Sequence, residues 1–268
     1  MPYRVDLPDG GPDFGDDALD RLVELGALDV DRVQERGIAA LMPDSVTPEQ
    51  LAHALSRDDI RVSRAIGRDA DSVWILNPRP VRAGRLRIVP ARAAAEPGVL
   101  RLIDAAAFGT GLHPTTALCL EALDEAIEVA VPDAVLDVGT GSGVLALAAL
   151  LLGARRAMGI DIDDESLRVA EANARINGME ERFQLARGGP EAVTGTWPLV
   201  LANVLAAPLI EMAPTIVRRV RHHGRLVLSG IPVGLEQEVA EAYLRLGMRR
   251  VEVKSRAGWV ALVLQTSW

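Results

Sequence analysis

One short run, Asp137-Val138-Gly139-Thr140-Gly141-Ser142-Gly143, constrains this chain more than any other. It follows the apolar stretch 135–138 and precedes 144–152, an apolar segment of helical length. A strand that turns through glycines into a helix opens a parallel α/β layer. The glycines allow a sharp turn and let a ligand approach the backbone with no Cβ in the way. Ligands of such sheets bind beyond the carboxyl ends of the strands, where the winding reverses.

The flanking sequence repeats the pattern. Apolar runs predict strands at 135–138, 157–160, 182–186, 199–202 and 225–229, with helices at 115–129, 144–152, 165–177, 206–220 and 235–246. Strands alternating with helices imply a parallel sheet covered on both faces. Segments 251–254 and 259–264, joined by a short glycine-containing turn, predict a terminal antiparallel pair. The expected fold class is therefore α/β, a doubly wound, mostly parallel seven-stranded sheet, preceded by a small N-terminal α+β domain.

That domain is read over residues 1–76. Tyr3 to Leu7 alternates as a strand, and Asp16 can cap a helix from Asp17 to Leu25 with Leu19, Leu22, Val23 and Leu25 as its apolar stripe. Gly37 to Met42 is an apolar strand. Thr47 then caps a second helix, with Pro48 at its first position and Gln50 three residues after the cap. Segments 60–66 and 72–76 are further strand candidates. Residues 77–100, rich in Pro, Arg, Ala and Gly, read as a linker with one strand-like stretch at 86–89. The catalytic domain is expected over 101–268.

The second strand of that domain ends at Asp161, 18 residues beyond Gly143, where a carboxylate can accept both hydroxyls of a ribose. Dinucleotide turns space their glycines as G-x-G-x-x-G around a pyrophosphate. Here the spacing is G-x-G-x-G, and Asp137 stands two residues ahead of it. A carboxylate in that place repels pyrophosphate but suits an ammonium and a sulfonium, which points to S-adenosylmethionine, with S-adenosylhomocysteine as product. The cofactor candidates here are Asp137, Gly139, Gly141, Gly143, Asp161 and Ile162. A glycine turn that holds no ligand is the alternative.

Two more constellations stand at predicted strand and helix ends. The loop Phe108-Gly109-Thr110-Gly111-Leu112-His113-Pro114-Thr115-Thr116 crowds glycines, threonines and a histidine before a helix. It reads as a cap over the cofactor, with Thr116 supplying a hydroxyl, or as a helix-capping loop alone. Asn203, leaving the fourth strand, can accept a hydrogen bond from an amine through its carboxamide oxygen, or merely cap the next helix. No Pro-Pro-aromatic run follows it, which disfavours base methylation.

Composition narrows the partners. A formal charge of −8 disfavours direct nucleic-acid binding and favours a basic protein partner. One cysteine, Cys119, excludes a disulfide framework and a multi-thiolate metal site, so no metal is expected. No apolar run has the ~18 residues of a membrane span, and the first residues lack a secretion pattern. The expected location is the cytoplasm, away from membranes.

The segments AFGTGLHPTTALCLEAL (107–123), VLDVGTGSGVLALAALLLGA (135–154), GIDIDDESLRVAEANARING (159–178), LVLANVLAAPLIEMAP (199–214) and GWVALVLQ near the end resemble the ribosomal protein L11 methyltransferase family. PRPVRAGRLRIVPA (78–91) resembles its interdomain segment. The resemblance implies cofactor contacts from Thr116, Gly139, Asp161 and Asn203. It implies methyl transfer to lysine side chains or the α-amine of ribosomal protein L11, and a ferredoxin-like N-terminal module that docks that substrate. LDRLVELGALDV (19–30) resembles the module's first helix, but only one strand is legible between the two helices where a hairpin is expected. Related enzymes modify other proteins, such as the electron-transfer flavoprotein β subunit, and a small-molecule acceptor is the further alternative. The expected catalytic residues are Asn203, orienting the amine, and His113, relaying a proton or bracing its loop. His222-His223 read as a turn before a strand.

Overall fold

A computed structural model describes residues 3–8, 18, 21–22, 24–33, 37–64, 80–103, 113–256 and 258–268. The chain forms two compact units, residues 1–78 and 79–268.

In the first unit, strands β1 (Tyr3–Leu7), β2 (Asp29–Val33), β3 (Gly37–Met42) and β4 (Arg61–Arg64) form an antiparallel sheet in the order β2-β3-β1-β4. Helical residues within 18–24 follow β1, and helix α1 (Pro48–Leu55) follows β3. This is the ferredoxin-like succession of strand, helix, hairpin, helix and strand. Val5 and Leu7 alternate inward from β1 and meet Leu22, Ile38, Ala40, Met42 and Leu51 in one small core. Thr47 and Gln50 complete the capping box that their spacing predicts, each side chain accepting from the other's backbone N–H.

The hairpin that the sequence did not reveal is present. The chain leaves the helix before Gly26, and Asp29–Val33 pairs with β3 from Asp29↔Leu41 to Val33↔Gly37. The segment DVDRV carries three charges in five residues and reads as a loop. An edge strand with a single neighbour tolerates that composition. The strand expected at 72–76 lies outside the described residues.

The second unit begins with a correction. The stretch expected to be a linker over 77–100 is, from residue 81 on, a three-stranded sheet of β5 (Val81–Ala83), β6 (Leu86–Pro90) and β7 (Val99–Leu102). Strands of three to five residues, separated by Gly84-Arg85 and by residues 91–98, are too short to show periodicity. Their apolar residues Ala83, Leu86, Ile88, Leu100 and Leu102 nonetheless enter the main core. Asp124 accepts from the Arg85 backbone N–H and guanidinium, both at 2.8 Å, and so fastens the β5–β6 turn to helix α2 (Pro114–Val129).

The main sheet contains β8 (Ala134–Val138), β9 (Arg156–Asp161), β10 (Phe183–Arg187), β11 (Trp197–Asn203), β12 (Val220–Pro232), β13 (Met248–Arg256) and β14 (Trp259–Thr266). Their order is β10-β9-β8-β11-β12-β14-β13. The first five strands run parallel, and β14 is antiparallel to both its neighbours. The winding reverses between β8 and β11, which fixes the ligand edge beyond Val138 and Asn203. Helices α3 (Val144–Leu151), α4 (Asp164–Ile176), α5 (Ala206–Val217) and α6 (Glu236–Leu244) connect the strands. All five residues of β8 are buried, as a central strand covered on both faces requires.

His222 and His223 lie inside β12 rather than before it. The ladder pairs Trp197↔Val220 and next Leu199↔Arg225, so residues 221–224 bulge out of register and hold the expected turn within the strand.

Within the apolar α5–α6 layer the Tyr243 hydroxyl donates to the Leu209 carbonyl at 2.8 Å, a buried polar contact. Tyr243→Phe removes that bond while the Leu209 carbonyl keeps its helical partner, and is expected to cost about 1 kcal/mol in denaturant unfolding, with no change in m-value.

Candidate functional site

The carboxyl ends of β8, β9, β11 and β12 converge on the glycine turn. The N–H groups of Gly139 and Thr140 both donate to the Ile160 carbonyl, at 2.9 and 3.0 Å, and tie the turn to β9. Gly139 has φ +68°, and a Cβ there would stand 2.4 Å from Cγ1 of Val204. The Gly141 N–H donates to Oδ2 of Asp161 at 2.9 Å, while the other Asp161 oxygen accepts from the Asp163 N–H at 3.0 Å. Turn and carboxylate are thus one hydrogen-bonded assembly. Gly143 differs from the other two in starting α3, where an added Cβ would lie 2.9 Å from the Phe183 ring and 3.2 Å from Ala170. Ile162, beyond the end of β9, is 75% exposed.

Asp137 is wholly buried in β8. Its Oδ2 accepts from the Thr140 hydroxyl at 2.7 Å, and its Oδ1 has no partner. Burial pushes its pKa up to about 7. Asn203 ends β11, with its Nδ2 donating to the hydroxyl of the buried Thr116 at 3.4 Å. The Asn203 carboxamide oxygen is buried and unpartnered. The Asn203 carboxamide oxygen can only accept, so a group that completes it must donate a hydrogen bond. An ammonium and an amine fit; a phosphate does not.

His113 caps α2. Its Nδ1 accepts from the Thr115 N–H at 3.3 Å and lies 2.7 Å from the Thr115 hydroxyl, which therefore donates to it. The ring proton consequently belongs on Nε2. Burial lowers the His113 pKa to about 4, and the ring stands edge-on to Trp259 with centroids 5.0 Å apart. The imidazole is neutral at physiological pH and braces the first turn that carries Thr116. Phe108, Gly109, Thr110 and Gly111 lie outside the described residues.

The sequence reading missed Gly230. It has φ +84°, and a Cβ there would stand 2.2 Å from the Val204 carbonyl oxygen. A glycine inside a strand, as in Ser229-Gly230-Ile231, is the available signal for a close backbone approach. Ser229, buried and paired with Asn203, donates its hydroxyl to the Val260 carbonyl at 2.9 Å. Among the described residues no cluster of three His, Cys, Asp or Glu could hold a metal ion.

The family model described as ribosomal protein L11 methyltransferase (PrmA) matches residues 26–267. The chain belongs to the ribosomal protein L11 methyltransferase family. Relatives bearing that name include one from Chromohalobacter salexigens, 41% identical over 238 residues that cover 87% of this chain and 75% of the relative. Another, from Syntrophotalea carbinolica, is 36% identical and covers 96% of this chain and 90% of its own length. Among solved structures, the ribosomal protein L11 methylase of Lactobacillus delbrueckii subsp. bulgaricus aligns with a TM-score of 0.64 at 30% identity. That alignment covers 70% of this chain and 99% of the solved one. As a member of the L11 methyltransferase family the chain is an enzyme, a methyltransferase on a doubly wound α/β fold.

Two pH dependences follow from the site. The raised Asp137 pKa means that the folded state holds a proton which the unfolded chain has released. Stability is therefore present in full below the ordinary carboxylate pKa of about 4 and is lost as pH rises through about 7. Asp137→Asn is expected to raise stability at pH 8 by ~2 kcal/mol over the parent, a gap that closes toward pH 4 in thermal unfolding. For His113 the folded pKa is depressed, so its contribution is present above the ordinary 6.5 and lost as pH falls toward about 4. His113→Asn, which keeps a capping acceptor, should flatten the acid limb of a stability–pH curve.

Proposed function

We propose that this enzyme transfers methyl groups from S-adenosylmethionine to amines of ribosomal protein L11, lysine side chains or the α-amine, in the cytoplasm. The observation that carries this reading is the buried, unpartnered carboxamide oxygen of Asn203 beside Thr116, next to the glycine turn. The relatives' printed names supply the acceptor, and they favour it over a flavoprotein subunit or a small molecule. No helix of the described residues is long and apolar enough to cross a membrane. The formal charge of −8 suits a basic protein partner.

The donor, when bound, supplies an electrophilic methyl group on a sulfonium. Asp161 would hold the ribose hydroxyls with the lone pairs left over from its two backbone contacts. Gly139 and Gly141 leave room for close backbone approach, and Asp137 and Ile162 are the further residues that would help to hold the donor. Gly143 starts the helix that follows the turn.

The acceptor amine must arrive unprotonated, because an ammonium has no lone pair to form the new bond. A lysine has an ordinary pKa of about 10.4, which partial desolvation at this edge lowers. Asn203 accepts an N–H of the amine through Oδ1 and so turns the lone pair toward the methyl group. Thr116 fixes the carboxamide's orientation by accepting from Nδ2. His113, neutral and bound to Thr115, acts as a brace for this first turn. The proton leaves to solvent.

Incubation of purified ribosomal protein L11 with the enzyme and S-adenosylmethionine should add mass in methyl steps, read by intact-mass spectrometry. Asn203→Ala is expected to lower kcat about 100-fold, since misoriented nucleophiles lose that much. Calorimetry should show S-adenosylhomocysteine affinity changed by less than about tenfold. Retention of full activity by Asn203→Ala would remove the orienting role, and an unmodified L11 would remove the acceptor.

A further inference from the structure

The formal charge of −8 is a sum, and the chain distributes it unevenly. Residues 218–225 (RRVRHHGR) and 245–250 (RLGMRR) carry seven arginines and no acid, in a chain where acids outnumber bases 37 to 29. The fold joins the two stretches at the amino ends of the parallel strands. Arg225 in β12 and Arg249 in β13 both stand opposite Gln265 of β14, so the three side chains form one row on one face of the sheet. The row is tied together. The Arg249 guanidinium donates to Oε1 of Gln265, and Nε2 of Gln265 donates to the His223 carbonyl at 3.2 Å. The Thr266 hydroxyl donates to the Arg221 carbonyl at 3.1 Å, which fixes the looped-out residues 221–224 beside the row.

Helix α2 neutralises cations of β13 elsewhere and stops short of these. Glu121 pairs with Arg256 at 2.9 Å and Glu125 with Lys254 at 2.8 Å. The helix ends at Val129, and a cavity of about 370 Å³ lies between its end and the row, lined by Val129, Pro132, Pro198, Arg221, Arg225 and Gln265. Glu128, in the last turn, is exposed and forms no ion pair with them. Among the described residues Arg225 and Arg249 have no carboxylate partner, and Arg221 has only Asp133 at 3.6 Å, with both side chains about half exposed. Salt screens exposed charges over about 10 Å, so acids elsewhere on the chain do not cancel this edge.

We propose that Arg221, Arg225 and Arg249 form a docking edge for the phosphate backbone of single-stranded RNA. Guanidiniums donate in pairs to phosphate oxygens, and several along one edge suit a chain of phosphates rather than a single anion. The cavity beside them, walled partly by Val129, Pro132 and Pro198, can take an unstacked base, which a duplex does not offer. The choice of RNA as the polyanion rests on the acceptor read under Proposed function, because a ribosomal protein belongs to an RNA particle. The edge and the site lie at opposite ends of β12. Arg225 is four residues before Ser229, the partner of Asn203, or about 13 Å along the strand. RNA held here leaves the carboxyl ends of the strands open to the acceptor, so the enzyme can hold RNA and transfer methyl groups together.

The test is fluorescence anisotropy of a labelled single-stranded oligouridine with the full-length enzyme across a salt series. The parent should bind with a micromolar Kd at low salt, and log affinity should fall with log salt at a slope of about −2, about −0.7 for each phosphate neutralised. The double variant Arg225→Gln, Arg249→Gln should bind about tenfold more weakly and lose about two-thirds of that slope. Arg225→Lys with Arg249→Lys should keep most of the affinity, because the charge is retained. Thermal midpoints, and methylation of free ribosomal protein L11 without RNA, should match the parent in both variants. No RNA binding by the parent, or equal binding by the glutamine variant, would overturn the edge while a parent that still methylates L11 keeps the reading of the acceptor. Polyglutamate or phosphatidylglycerol vesicles bound as tightly as RNA would overturn RNA as the occupant. A parent that binds RNA through these arginines but leaves L11 unmodified would keep the edge and remove the acceptor.

Discussion

Val204 is held between two glycines from different parts of the sheet, and the geometry of the site depends on that contact. Its side chain fills the space where Gly139 lacks a Cβ, and its carbonyl lies where Gly230 lacks one. The glycine turn after β8 and the end of β12 therefore approach the segment after β11 at van der Waals distance. Asn203, the residue before Val204, inherits its position from this clamp. A methyl group added at either glycine would have to displace backbone or a branched side chain, and protein interiors do not yield by that much. The remaining contacts extend the same assembly. Asp161 holds the turn from β9, and Thr116 holds the Asn203 carboxamide from α2.

Asp137 shows how this edge departs from what stability alone would select. A wholly buried carboxyl with one open oxygen raises the energy of its own ionised form. Surrounded by Val135, Leu136 and Val138, it is the one charged residue in an otherwise apolar central strand. The Thr140 hydroxyl compensates on one side only. His113 reaches the opposite outcome from similar burial, because imidazole loses its charge on desolvation and keeps an acceptor for the helix cap.

Much of the catalytic fold could be read from residue order, for a physical reason. Buried parallel strands such as AVLDV and helices such as VLALAALL are apolar throughout, so their limits coincide with changes of composition. Thr116 and Asn203, far apart in sequence, do meet in the fold, as their places at a helix start and a strand end implied. What stayed hidden was short, polar or dependent on a neighbour. Strand β2 is charged because it lies at an edge, and β5 to β7 are too brief to show a period. The packing role of Gly143 under Phe183 was not visible in the glycine spacing. Nor was the approach of Gly230 to Val204, since no local pattern names the residue that fills a missing Cβ.

The bulge in β12 gives the sheet slack at one end. Residues 221–224 are looped out between the pairs Trp197↔Val220 and Leu199↔Arg225, and the ladder then runs in step from Leu199↔Arg225 to Asn203↔Ser229. An irregularity at the far end of the strand is thus absorbed before it reaches Asn203. Length changes within 221–224 would alter only the rim remote from the chemistry. One residue gained or lost between Arg225 and Ser229 would turn every following side chain to the opposite face. Against β14 the register shifts a second time, between Leu228↔Leu262 and Ile231↔Val260, so the strand is in step with both neighbours only from Arg225 to Leu228, a short rigid span between two joints.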